Sequence, residues 1–331
     1  MRQTREHTMG RKVRVAMIGA GRHACRVHYP SLAMLDDAEI VAVAELSSER
    51  RSAVCEQYGI PAGYDDYGRM LEEAEPDCVY VVLPHLPAYP VVLDCLKRGL
   101  NVFLEKPPGI TVAQTQFLAR AAEAHGCITM VGFQRRYAPL VREALRVAGE
   151  RGGSDLIICR FYKNAWGLNL YGYHETKGVD VLTCDAIHAV DLIRALGGEV
   201  RDVVSEVRSV HMGCADLFVA LMRFESGATG VFESTWTSGR RLLEFELHAR
   251  GLAAHVDLES DMRVYADDND EPRRVSAAEI GGGDAYVIAR GFRDESARFI
   301  ECVREGTLPE SHLGDSLKTM ELVDRIYHSL L

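Results

Sequence analysis

No apolar run in this chain approaches the roughly 18 residues that a membrane-spanning helix requires, so nothing in it reads as a bilayer span. A basic excess is missing too. The 38 lysines and arginines stand against 48 aspartates and glutamates, a net charge of −10, which argues against a general binder of nucleic acid or anionic membranes. The nine cysteines include no C-x-x-C pair. Most sit in apolar surroundings such as Val54-Cys55 and Ile158-Cys159, where cysteine serves as a small core residue. No metal site is expected, structural zinc included, and this usage suits a reducing cytoplasm. Internal repeats and low-complexity tracts are absent as well. What remains is the balance of an ordinary soluble globular protein, 47% hydrophobic and 26% charged over 331 residues, long enough for two domains. Met1 to Lys12 is basic and polar, with no apolar segment to serve as a secretory signal. Residues 1–11 are expected to form a flexible extension, and Met9 is a candidate start.

From Val13 the chain alternates short apolar runs with helical stretches. Val13–Ile18, Glu39–Ala44, Cys78–Leu83, Val102–Leu104 and Cys127–Val131 read as buried strands, the pattern of a parallel sheet covered on both faces. After Gly132 the rhythm changes. A helix is expected over Pro139–Gly149, a strand over Asp155–Tyr162 and a helix over Val179–Leu196. Strand-like runs follow at 200–210, 216–224, 228–236, 242–249 and 252–257, divided by Gly213, Ser226-Gly227, Ser238-Gly239 and Gly251. Helices at about 286–304 and 313–330 close the chain. The fold class expected is α/β: a doubly wound parallel sheet over 12–133, then an α+β domain of mostly antiparallel strands over 134–331.

Gly19-Ala20-Gly21-Arg22-His23-Ala24 ends the first strand and opens a helix. Gly19 permits the tight turn, Gly21 lets backbone approach a pyrophosphate, and the small Ala24 allows close helix–strand packing. Arg22 and His23 are placed to frame phosphates rather than to do chemistry. Glycines after a strand often build only a turn, but here an acid stands at the end of the next strand. Glu45, 21 residues beyond Ala24, suits the adenosine ribose hydroxyls and would repel a 2′-phosphate, so NAD is expected over NADP. The bland reading is a solvated glutamate at a strand end. In Leu104-Glu105-Lys106-Pro107-Pro108, a lysine held between an acid and two prolines is poor core material, and Pro107 restricts its backbone.

With G-A-G-R-H-A at 19–24, Glu45, E-K-P at 105–107, G-F-Q-R-R-Y at 132–137 and H-A-V-D at 188–191, the chain resembles the glucose–fructose oxidoreductase / inositol dehydrogenase / rhizopine catabolism (Gfo/Idh/MocA) family, in order and spacing over nearly its whole length. The resemblance implies a Rossmann domain joined to a domain with a large open sheet that commonly mediates oligomerisation, hence a homo-oligomer (dimer or tetramer). It implies oxidation or reduction of a carbinol/carbonyl of a sugar, a cyclitol or a sugar derivative. Lys106 would stand at the reacting oxygen and His188 would be the general acid/base. Leu83, Pro84, His85 and Glu105 would line the cofactor, with His85 where asparagine is more usual. The family's acid four residues before the histidine is here Cys184, so Asp185 is the candidate substitute.

Chemically, His188 suits removal of a hydroxyl proton as hydride leaves, Lys106 would stabilise developing alkoxide charge, and Asp185 would orient the imidazole or bind a neighbouring hydroxyl. Leu182, Ala186, Ala189, Ile193 and Leu196 fall on one side of the 179–196 helix, with Cys184, Asp185, His188 and Asp191 on the other. An isolated histidine on such a non-core face would read as solvated, and Asp191 as a structural hydrogen-bond partner. Lys163, Asn164, Trp166 and Tyr173, with Tyr171 and His174 nearby, are candidates for a hydroxyl-rich substrate or for an interface. Arg135 and Arg136 are read as joining domains or approaching the cofactor. Alternatives are an NAD-dependent glycosidase using transient oxidation and a non-catalytic NAD-binding sensor.

Overall fold

The computed structural model describes residues 11–166 and 179–329. The sequence organises into two compact units, one of residues 1–109, 113–132 and 292–315, the other of 110–112, 133–291 and 316–331. The first unit is therefore discontinuous: its last piece returns from the far end of the chain, which a single boundary at 133/134 leaves out.

The first unit is a Rossmann-type sheet of six parallel strands, β1 (Val13–Ile18), β2 (Ala38–Ala44), β3 (Gly63–Tyr64), β4 (Cys78–Val81), β5 (Asn101–Leu104) and β6 (Thr129–Val131), in the order β3-β2-β1-β4-β5-β6. Its central strands are apolar on both faces because helices cover both; Val15, Ala16 and Met17 of β1 are fully buried. Helix Ser48–Tyr58 is capped by Ser47, which accepts a hydrogen bond from the Arg50 N–H, with Glu49 in the first turn. The returning helix, Phe292–Glu305, supplies Phe299, whose ring meets Tyr80 and Phe103 edge-on at 5.6 and 5.8 Å. Those two rings stack on each other at 4.4 Å.

The second unit is built on an eight-stranded sheet, ordered β14-β13-β12-β11-β7-β10-β9-β8. Its strands are β7 (Leu156–Asn164), β8 (Val200–Arg208), β9 (Leu217–Phe224), β10 (Thr229–Thr235), β11 (Thr237–Ala249), β12 (Leu252–Asp257), β13 (Asp261–Ala266) and β14 (Arg273–Ser276). All neighbours run antiparallel except β7 and β10. One face packs against helices Pro139–Gly149 and Ile187–Gly197. The other is open among the described residues, and there Val204, Val219 and Leu221 are exposed. Period-two burial along β9 shows that one-sidedness directly.

Three expectations are corrected. Strands β13 and β14 are additional to the runs expected, which end at 252–257. The single helix expected over 286–304 is broken into Tyr286–Ala289 and Phe292–Glu305. Gly291 makes the break: its φ is +86°, and a Cβ there would lie 2.4 Å from the Gln134 carbonyl oxygen. The helix expected over 179–196 begins π-wound at Leu182–Ala186 before continuing as Ile187–Gly197.

Candidate active site

In the first unit the strand order reverses between β1 and β4, and open α/β sheets bind ligands outside the C-terminal strand ends at such a switch. Gly19 stands at that point with φ +108°; a Cβ would sit 2.4 Å from the Val82 carbonyl oxygen and 3.3 Å from Leu83, so the turn admits only glycine. Gly21 is glycine for a different reason. Its chain neighbours apart, no atom of the described residues lies within 4 Å of where its Cβ would project, which leaves its backbone open to close approach by a ligand. Helical residues 22–33 follow, π-wound over Ala24–His28, with Ala24 fully buried.

Glu45, past the end of β2, reaches back to this turn. Its Oε2 accepts from the Ala20 N–H at 2.9 Å, and its Oε1 accepts from the Ser47 N–H at 2.9 Å and Arg50 Nη2 at 2.7 Å. Burial alone would raise the carboxyl pKa. The Arg50 guanidinium and the two N–H groups outweigh burial and hold it below the ordinary value. A negative charge is thus fixed beside the glycine turn, and the solvated reading of Glu45 is set aside. An open backbone cradle, an ionised acid and a switch-point position fit a dinucleotide.

The end of β5 carries Glu105 and Lys106. Glu105 Oε1 meets His28 Nε2 at 2.8 Å and His23 Nε2 at 3.1 Å, while Oε2 accepts the Lys106 N–H at 3.2 Å. Burial raises this carboxyl, but the two imidazoles prevail and keep it well below the usual carboxylate range. His28 is fully buried, and burial pushes its own pKa down. A Cβ on Gly132 would lie 3.1 Å from the Glu105 carboxylate, so the glycine of G-F-Q-R-R-Y makes room for the acid of E-K-P. The backbone of Lys106 is anchored through this cluster. His23, expected at the phosphates, is placed on Glu105. Pro84 precedes helix His85–Lys97, which begins at His85.

In the second unit the helix face carrying His188 is not solvated. His188 is 9% exposed and Asp191 0%, and the helix is buried nearly all round, so its two-sided periodicity misleads. Asp191 is held bidentately by Arg136, Nε to Oδ2 at 2.7 Å and Nη2 to Oδ1 at 2.5 Å, with Thr319 Oγ1 donating at 2.9 Å. Arg136 thus ties Asp191 to the turn that follows β6. Its guanidinium also lies 5.8 Å from the Phe133 ring, which meets His188 edge-on at 6.5 Å. Asp185 is paired with Lys163, whose ammonium lies 5.0 Å from the Trp236 ring centroid and 5.5 Å from that of Phe161. The candidate acid is therefore bound by a cation two strands' length away in sequence, a pairing that sequence reasoning missed. Asn164 Oδ1 accepts the Trp166 N–H at 3.3 Å, and the Trp166 ring is 69% exposed beside His211. Tyr173, Tyr171 and His174 lie outside the described residues.

Comparison with known proteins bears on the family and the fold. A family model described as an oxidoreductase family with an NAD-binding Rossmann fold matches residues 13–133, and one for the GFO/IDH/MocA C-terminal domain matches residues 157–251. Among curated relatives, D-apiose dehydrogenase of Paraburkholderia graminis is 26% identical, over 97% of this chain and 88% of its own. Myo-inositol 2-dehydrogenase of Thermotoga maritima is 26% identical over 90% of each. Among solved structures, a levoglucosan dehydrogenase in complex with NADH superposes with a TM-score of 0.83 at 20% identity, covering 96% of this chain and 97% of that one.

Proposed function

The chain belongs to the GFO/IDH/MocA oxidoreductase family, with an NAD-binding Rossmann fold, and from that premise we propose an NAD-dependent dehydrogenase of a sugar, a cyclitol or a related polyhydroxylated compound. The observation that carries the reading is the open glycine turn at the sheet's switch point together with Lys106, fixed through Glu105 at the end of β5 of the same sheet. The sugar and inositol substrates of the relatives support the substrate class.

Bound NAD supplies a hydride acceptor. Gly19, Gly21 and the N–H groups that open helical residues 22–33 would hold the pyrophosphate; Glu45 would accept from the ribose hydroxyls. In the proposed reaction Lys106 donates a hydrogen bond to the reacting oxygen and stabilises charge as it develops. His188 takes the hydroxyl proton. Asp185 and Lys163, already paired, offer an acceptor and a donor to neighbouring substrate hydroxyls. A panel of sugars, inositols and sugar derivatives with NAD should give net NADH for at least one compound. Release of an aglycone with no net NADH would replace this reading with a glycosidase.

NAD is proposed over NADP because a 2′-phosphate would bring about two negative charges beside the ionised Glu45. Glu45→Gln removes the repulsion and frees Arg50, so the ratio of NADP to NAD affinity, read by calorimetry, is expected to rise at least about tenfold, or roughly 1.4 kcal/mol. An unchanged ratio would refute this role for Glu45. We also propose a homo-oligomer joined through the open face of the eight-stranded sheet, where Val204, Val219 and Leu221 are exposed on neighbouring strands; light scattering tests it, and a monomer would overturn it.

A further inference from the structure

On the open face of the eight-stranded sheet, three side chains with metal-ligating atoms stand together: Glu246 and His248 of β11 and His255 of β12. One ligand atom from each lies within 4.8 Å of the others. The backbone brings them there. Side chains two residues apart along a strand share a face, which unites Glu246 with His248. Register then places His255 directly across from Glu246 on the antiparallel neighbour, where opposed Cβ atoms are about 4.5–5.5 Å apart. His248 Nε2 is already 3.1 Å from Glu246 Oε2, close to the spacing of two ligands on one ion with bonds of about 2.0–2.2 Å.

We propose that Glu246, His248 and His255 form a binding site for a divalent transition metal of the zinc class, with remaining coordination positions open to water. Two imidazoles and a carboxylate are the donor set such ions prefer, whereas magnesium and calcium take oxygen. The surroundings favour a cation. Glu233, Glu244, Glu246, Asp257 and Asp261 share this stretch of face with Arg160, Arg263 and Arg274, five carboxylates against three guanidiniums. Arg160 donates to Glu246 Oε1 at 2.5 Å and lies 3.3 Å from Glu233, so it occupies only one oxygen of Glu246 and divides its charge. The Tyr265 ring meets His255 edge-on at 5.5 Å and the His248 ring does so at 5.8 Å, limiting its rotation. Burial first, then His248, Arg263 and Arg160, outweigh Glu246 and set the His255 pKa below the ordinary histidine value.

The site is separate from the proposed redox chemistry, so its test does not depend on finding a substrate. The full-length protein, stripped with a chelator, is titrated with Zn(II) by calorimetry and with Co(II) by visible absorption. One ion per chain at about micromolar affinity or tighter is expected. His248→Ala and His255→Ala should each weaken binding at least about 100-fold, more than the roughly 10–100-fold typical of losing an outer-shell partner, while NAD affinity is unchanged. His23→Ala addresses the other His–His–Glu group, His23, His28 and Glu105, and should leave the stoichiometry and affinity intact. Should either alanine variant fail to fold, His255→Gln replaces it with a side chain of similar size. The proposal is overturned if wild-type protein binds only at millimolar metal, if both alanine variants bind as tightly as wild type, or if His23→Ala alone abolishes binding.

Discussion

Lys106→Ala is expected to lower kcat about 1,000-fold or more, the scale on which a lost proton-transfer group or charge-stabilising donor is measured. Affinity for NAD should stay within about twofold. The separation follows from how the residue is held. Its backbone N–H is tied to Glu105, whose own fixation by His28 and His23 does not involve the ammonium. Removing the side chain leaves these contacts of Glu105 in place. The same substitution should reduce kcat and kcat/KM together, because the interaction develops with the charge on the reacting oxygen. Unaltered turnover with a verified substrate would take the lysine out of the reaction.

The second large effect is on stability. Arg136→Met removes the bidentate partner of Asp191, a carboxylate with 0% exposure, and leaves it one donor, Thr319, among the described residues. Breaking one side of a buried ion pair costs about 3–5 kcal/mol, because the remaining charge is desolvated without compensation. Urea denaturation should show that loss as a lowered midpoint. A double variant, Arg136→Met with Asp191→Leu, should recover much of it, since no charge is then stranded. A single-variant loss below about 1 kcal/mol would mean that the pair behaves like an exposed one.

Elements whose burial matches their local pattern were legible in the sequence. The bounds of β1 and of helix Pro139–Gly149 coincide with those read from the sequence, and the helix has its proline in the first turn, where the missing N–H costs nothing. Strands β13 and β14 escaped because their outward positions are charged and their buried ones few: Met262, Val264 and Val275. Helix Ile187–Gly197 deceived in the opposite sense. Its polar residues suggested a wet face, but Arg136 and Thr319 come from elsewhere in the chain to neutralise Asp191. No local pattern announces such partners. The glycine turn, Glu45 and Lys106 were readable because each is a local motif at a strand end. The ties between them were not: His28 and Glu105 are 77 residues apart. The proposed metal site has the same limit: the spacing of Glu246, His248 and His255 means nothing until strand register sets two of them face to face.

The discontinuity of the first unit bears on how the protein comes into being. Helix Phe292–Glu305 closes over Tyr80 and Phe103, and Ser311 accepts the Val131 N–H through its carbonyl at 2.9 Å. On the ribosome these pieces emerge only after the entire second sheet has been translated. At about 5–20 residues per second, the nascent nucleotide-binding half must wait many seconds with that aromatic surface uncovered, an interval in which a chaperone would find its client.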